Sequence, residues 1–377
     1  MDALLDEWYE RCAGPEGGPY VKKYYEFWED FWTRRILDSP WFSKGGQYLS
    51  FGTAGYLADV SFEEIAQCRE WLQAAIDKSQ TDKQKARAEM LMLAFDYYEA
   101  SVLCYPRKEI AGGPIDTEEL ALAAIEAAAI RIEMAAKRRH LALDVLAAHP
   151  VLLHSLTLTR FGGISGDGWG ATTLWTVYGW LDRSEELRAL IEDLAANSES
   201  QLVRDQASTM LALATGSLEN LARDSSFEER DVWSLWVKPQ RGGKMLYSDE
   251  QAHSGESSLL CDGVGRGGPN QVIPANPGRY AAVCFVYVPE GQEPSGTIEM
   301  AITPRDDKGA NLPGMATQII PTPGQWQALA IGGEIPAQIG GKDVASLMLI
   351  PIVNGFNEGD KLYIDDASMF RLGDIEE

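Results

Sequence analysis

The hydrophobic period of this chain changes once, near residues 216 to 225, and that change constrains the fold more than any other feature. Before it, apolar residues recur at three- and four-residue intervals, the spacing of helices buried along one face. After it, valine, threonine, glycine and proline replace alanine and leucine, and stretches such as RYAAVCFVYV, GTIEMAITPR, WQALAIGGEI and KLYIDDASMF alternate in the manner of strands. Turn segments, PEGQEPSG, DDKGANLPG and TPGQ, separate them. Short strands at near-regular spacing without βαβ alternation predict a sandwich or jelly roll, not a doubly wound sheet. At 377 residues the chain also exceeds what one core usually serves. The expected fold is α+β in two domains: an N-terminal all-α helical bundle over 1–217 and a C-terminal all-β jelly-roll sandwich over 218–377.

Within the first part, a helix over Asp2 to Arg11 precedes a GPEGGP break, and a second over Tyr20 to Leu37 places Tyr24, Phe27, Trp28, Phe31 and Trp32 on one stripe, which reads as core. Ser61 with Glu64 three residues on is a capping box for a helix reaching Lys78. Further helices are expected from Asp82 to Cys104, Asp116 to Ala148, Ser184 to Asn197 and Glu199 to Ala214. Two distinctive loops, WFSKGGQYLSFGTAGYL and RFGGISGDGWGAT, lie between them.

Charge narrows the partners. With 56 acidic against 33 basic residues the net charge is −23, which repels phosphate backbones and anionic lipid, so no nucleic acid and no membrane surface is expected as a partner. No run of about 18 apolar residues occurs, and the opening MDALLDEWYERC lacks the basic and apolar regions of an export signal. Cys12, Cys68, Cys104, Cys261 and Cys284 form no CxxC pair and read as buried free thiols. Cys261 and Cys284, on strands expected to be neighbours, are the one pair placed to bridge.

The usual catalytic signatures are missing. GGISGDGWG matches neither GxSxG nor a phosphate-binding glycine pattern, and the four histidines, His140, His149, His154 and His253, contain no HExxH. A zinc hydrolase is disfavoured. Glycoside hydrolysis needs two carboxylates about 5 to 10 Å apart, and spacing alone selects no such pair here.

Two constellations of the β region carry chemistry. SSFEE at 225–229, AHSGESSLL at 252–260 and YIDDASMF at 363–370 stand near the start, second strand and last strand of the sandwich. Together they resemble the jelly-roll carbohydrate-binding modules of families four, nine and twenty-two, in which such motifs surround a structural calcium. The resemblance implies Glu228 and Asp365 as side-chain ligands, with Asp366 as the alternative and backbone carbonyls beside the HSG turn. Calcium prefers such hard oxygen donors. The second constellation is a sugar-binding surface. Sugar rings stack on Trp or Tyr faces and bond to Asp, Asn, Gln and Arg, so the candidates are Trp233, Trp236, Tyr247 and Tyr287 with Arg266, Asn270 and Gln271. Trp326 and Tyr280 read as structural aromatics, and CDGVGRGGPNQVIP lacks the stacking ring that related modules often carry there.

The helical part has its own resemblance, over about residues 1 to 215. DALLDEWYERCAGPEGGPYVKKYYEFWEDFW, then WFSKGGQYLSFG, then the helix reaching FDYYEASVL look like the helical region that follows the catalytic barrel in an uncharacterised family related to α-glucuronidases and β-hexosaminidases. The resemblance implies an accessory unit without catalytic residues of its own, serving a catalytic barrel that lies N-terminal or is encoded separately. The partner is then a polysaccharide or oligosaccharide. By family analogy the setting is secreted or periplasmic, which the opening residues do not support. Two other readings compete: a self-contained lyase or glycosidase using Arg160, Asp167, Trp169 and Tyr178, and a structural or assembly protein with no glycan ligand.

Overall fold

The computed structural model describes residues 2–43, 54–105, 114–152, 170, 172–216 and 218–375. They form two compact units: 1–107 with 130–171, and 108–129 with 172–377.

In the first unit, α1 (Asp2–Thr33), α2 (Phe62–Asp77) and α3 (Asp82–Cys104) pack together. The GPEGGP segment does not end α1; only Gly14, at φ 85° and ψ 172°, leaves helical geometry. Glycine tolerates that conformation, and Pro15 restarts the helix at a position whose missing N–H has no partner to lose. Ser61 and Glu64 form the reciprocal capping box on α2, and Thr81 with Gln84 forms a second on α3. Phe31, Ile36, Trp41, Ile65, Leu72 and Phe95 are buried in one cluster, against which Tyr24, Phe27, Trp28 and Trp32 pack, so the aromatic stripe of α1 is core. A fourth helix, α4 (Glu118–His140), continues into a π turn at Leu141–Val145 and a 3-10 turn at Leu146–Ala148. The division between the units falls inside α4, at 129 and 130.

The second unit is a sandwich of two five-stranded antiparallel sheets. Its strands are β1 (Ser234–Val237), β2 (Lys244–Ser248), β3 (Ser258–Asp262), β4 (Arg266–Pro274), β5 (Gly278–Tyr287), β6 (Thr297–Arg305), β7 (Met315–Ile319), β8 (Gln327–Ile335), a small hairpin β9 (Gln338–Ile339) and β10 (Lys342–Asp343), β11 (Ser346–Asn354) and β12 (Lys361–Gly373). The front sheet has the order β1-β4-β11-β6-β7 and the back sheet β2-β3-β12-β5-β8. Alternation sends Ile298, Met300, Ile302, Leu347, Leu349 and Val353 of the front sheet inward. Leu259, Cys261, Cys284, Val286, Leu362 and Ile364 of the back sheet do the same, and all twelve are fully buried.

Periodicity and compactness divide the chain at different places. The last α-helix, α6 (Gln201–Thr215), ends where the period changes, yet the unit that holds the sandwich also takes in residues 108–129 and everything from Thr172 onward. The reason is packing. A 3-10 helix over Thr173–Trp180 and α6 lie against the back sheet, and α5 (Glu185–Asn197) packs on α6. A side chain at Gly332 of β8 would meet the Trp175 ring at 2.8 Å, and one at Gly179 would meet the Ala328 carbonyl at 2.8 Å. Arg279 Nη2 donates to Thr209 Oγ1 at 2.8 Å.

All five cysteines are free and buried. The expected neighbourhood of Cys261 and Cys284 is corrected by the strand order. Strand β12 runs between β3 and β5, and two ladder spacings amount to about 9.6 Å, beyond the reach of a disulfide. Among the described residues no helix is long and apolar enough to cross a membrane.

Candidate functional site

The three motifs that share the resemblance do converge, at a bulge inside β12. A bulge between Asp365 and Ser368 puts Asp366 at φ 46° and turns both acids toward the 253–257 loop. Asp365 is fully buried; its Oδ2 accepts the His253 and Ser254 N–H groups at 2.6 and 3.2 Å, and its Oδ1 accepts the Asp366 N–H at 2.7 Å. Asp366 holds the His253 Nδ1 at 2.6 Å and accepts the Ser254 hydroxyl at 2.6 Å. Glu228 Oε1 takes the other side of the loop, accepting the Glu256 and Ser257 N–H groups at 2.8 and 3.0 Å. Gly255, at φ 63°, is required between them, since a Cβ there would come within 2.1 Å of Glu228 Oε1. Burial pushes the Asp365 carboxyl up to about 6, against the lowering effect of its three N–H donors.

The groups bonded to Glu228 and Asp365 are amide hydrogens of the loop, not the backbone carbonyls expected as further calcium ligands. No group of three or more His, Cys, Asp or Glu side chains suited to a metal occurs among the described residues. The three acids instead clamp a loop from two sides.

The front sheet presents a different chemistry on its outer face. Cross-strand register places Trp236 (β1), Gly268 (β4), Ile352 (β11), Glu299 (β6) and Gln318 (β7) in one row across all five strands. Arg266 and Asn354 pair in the neighbouring row, and Arg266 Nη1 donates to Asn354 Oδ1 at 2.6 Å. Ser234 and Asn270 pair on the other side, where Asn270 Nδ2 donates to the Ser234 carbonyl at 2.8 Å. Ile350 and Ala301, at 3% and 4% exposure, floor the middle of the face. Glu299 is half-buried; desolvation raises its carboxyl above the usual range and the Arg266 charge opposes that rise. Glycine is required at 268 by close strand approach, because a Cβ would meet the Pro351 carbonyl at 1.9 Å. Gly268 thus puts no side chain between the half-exposed Trp236 of β1 and Ile352 of β11 in that row.

Of the sequence candidates, Trp236, Arg266 and Asn270 share this face. Gln271 does not: it points inward, is 7% exposed, and exchanges hydrogen bonds with the Arg223 backbone at 3.1 and 2.6 Å. Trp233 is buried beneath Phe227, with its indole N–H bonded to the Asp224 carbonyl at 2.8 Å. Tyr247 lies on the core side of β2, paired with Leu259. Tyr287 belongs to the outer face of the back sheet, packed with Trp326 and Tyr363. Tyr280 is core, its hydroxyl donating to the Asn276 carbonyl at 2.8 Å. Glu299, Asn354 and Gln318 were not among the candidates. Arg160, Asp167, Trp169 and His154 lie outside the described residues; Tyr178 is half-buried in the Thr173–Trp180 helix, and burial raises its hydroxyl above the ordinary range.

No protein-family model matches this chain, and no curated protein does. Solved structures with similarity over the β region include a family 16 carbohydrate-binding module at 15% identity, covering 40% of this chain and 100% of that one with a TM-score of 0.31. Another is the CBM22-1 xylan-binding domain of Paenibacillus barcinonensis Xyn10C, at 19% identity, 42% and 97% coverage and a TM-score of 0.32. A third is TmCBM61 in complex with β-1,4-galactotriose, at 19% identity, 41% and 99% coverage and a TM-score of 0.29.

Proposed function

We propose that this chain binds a polysaccharide or oligosaccharide through the outer face of its front sheet. The observation that carries the reading is the juxtaposition on one face of the Trp236 ring with the side chains of Arg266, Asn270, Glu299 and Asn354. A sugar ring has an apolar C–H face and an equatorial rim of hydroxyls. It is recognised by an amphipathic aromatic plane together with a few fixed donors and acceptors. Five strands at about 4.8 Å spacing make the face about 19 Å wide, room for several sugar units. The Trp236 to Gln318 row holds one carboxylate, Glu299, whereas glycoside cleavage uses two; the reading is therefore binding.

The accessory role rests on the helical resemblance alone: residues 1–215 would brace the module beside a catalytic barrel, N-terminal or separately encoded. A calorimetric titration of the chain with a panel of soluble plant and microbial oligosaccharides tests the binding reading. At least one is expected to bind, and Trp236→Ala to weaken it about tenfold, the equivalent of one aromatic contact. A blank panel at millimolar concentrations, or a variant that binds as well as the parent, overturns it.

A further inference from the structure

Among the described residues of the helical unit two arginines are buried, Arg131 and Arg138, and two further cations, Arg69 and Lys137, are half-buried; all but Arg131 have polar partners. Arg69 bridges Asp96 and Glu99, and Lys137 joins the same two carboxylates at 3.4 Å. Arg138, two turns along α4 from Arg131, donates to Ser101 Oγ at 3.0 Å and to the Tyr97 hydroxyl at 3.2 Å. Arg131 differs. It is only 6% exposed, its Nε is buried without a hydrogen-bond partner, and no ion pair reaches it among the described residues. Its electrostatic neighbour is Cys104, a thiol that burial pushes up to about 11 and therefore holds neutral. Gly170, at φ 74°, lies against the Arg131 backbone so closely that a Cβ would meet its carbonyl at 2.7 Å.

A buried guanidinium without a partner is costly to the fold. This chain has 56 acidic residues, and none of those described is set against Arg131. The planar fork of a guanidinium matches a carboxylate or phosphate with two parallel hydrogen bonds. We propose that Arg131 anchors a site in the helical unit for a small oxyanion, a carboxylate or a phosphate, that completes the hydrogen bonding of its guanidinium. The site is independent of the front-sheet face and stands whether or not that face binds glycans.

The test is thermal unfolding of the full chain in chloride, acetate, sulfate and inorganic phosphate at constant ionic strength, for the parent, Arg131→Met and Arg131→Lys. The parent is expected to melt roughly 3–6 °C higher at tenfold excess of a bound anion over its dissociation constant. A response to acetate alone assigns a carboxylate ligand, and one to phosphate and sulfate a phosphoryl ligand. Arg131→Met should lose the response and melt no lower than the parent in chloride, since it removes an uncompensated charge. Arg131→Lys should keep the charge and a weakened response. A parent indifferent to all four anions, a response retained in Arg131→Met, or a Met variant that melts far below the parent in chloride overturns the proposal. The last result would mean that the guanidinium already has its partner within the chain.

Discussion

Replacing Asp365 by alanine removes the acceptor at the centre of the loop clamp, and the structure sets both the size and the pH dependence of the effect. Three amide N–H groups, of His253, Ser254 and Asp366, lose their partner. Each charge-assisted bond is worth about 1.5–3 kcal/mol. Against this, the variant escapes the cost of burying a carboxylate. A carboxyl raised from 3.8 to about 6 carries a penalty of about 3 kcal/mol when ionised. That penalty already includes the three bonds, so the loss at pH 7 is the cost of three N–H groups left without an acceptor, about 1–3 kcal/mol each, less about 3 kcal/mol: roughly 0–6 kcal/mol, or at most on the order of 20 °C in melting temperature for a unit of this size. The pH dependence has a definite sign. A carboxyl whose folded pKa is raised binds its proton more tightly in the native state, so the parent loses stability as pH rises from about 4 through about 6 and is level above that. Asp365→Ala lacks this slope, and the gap between the two proteins should widen as pH falls from 7 toward 4.5. Denaturant melts at several pH values, read by tryptophan fluorescence, measure it. If the gap narrows over that range, the three N–H bonds outweigh burial, the carboxyl is depressed, and the reasoning is refuted.

Two further outcomes follow from the same geometry. Because the 253–257 loop offers amide hydrogens to Glu228 and Asp365, chelator should leave the melting curve of the β unit unchanged; a fall of several degrees, abolished in Asp365→Ala, would mean that the loop turns its carbonyls inward and that a calcium ion sits between the acids. All five cysteines are free and buried, with the thiols of Cys68 and Cys104 pushed up to about 12 and 11, so a thiol reagent should label none in the native protein at pH 8 and all five in denaturant. Native labelling of Cys261 or Cys284 would contradict the packing of the sandwich.

Much of the fold was legible because it depends on local signals. Ser61 with Glu64 announces a helix start, the aromatic stripe of α1 announces a buried face, and alternating runs announce strands. The site was legible only in part, because a face depends on strand phase and on which strands are neighbours. In RGGPNQVIP the polar residues Asn270 and Gln271 are adjacent, yet one residue of phase sends the first outward and the second into the core. Val272 is 49% exposed and Ile273 8%, so hydrophobicity does not mark the phase there. Glu299 had a usable signal: it is the one acid in GTIEMAITPR and stands between Ile298 and Met300, which point inward. What placed it on the same face as Arg266 is the β4-β11-β6 order, a non-local pairing that spacing along the chain does not reveal. The same order separates Cys261 from Cys284. The convergence of Glu228, Asp365 and the HSG turn followed from motif resemblance, but the direction of the loop's peptide groups, hydrogens toward the acids, is set by backbone torsions that residue types do not specify.

The central claim is that the outer face of the front sheet is the binding surface, and amide chemical-shift mapping during an oligosaccharide titration tests it most directly. Shifts are expected to be confined to Trp236, Gly267, Gly268, Ile352, Asn354 and Glu299, with the Trp236 indole N–H among the largest. Shifts centred instead on Phe285, Tyr287 and Trp326 of the back sheet, or none from any bound glycan at the front sheet, would contradict it.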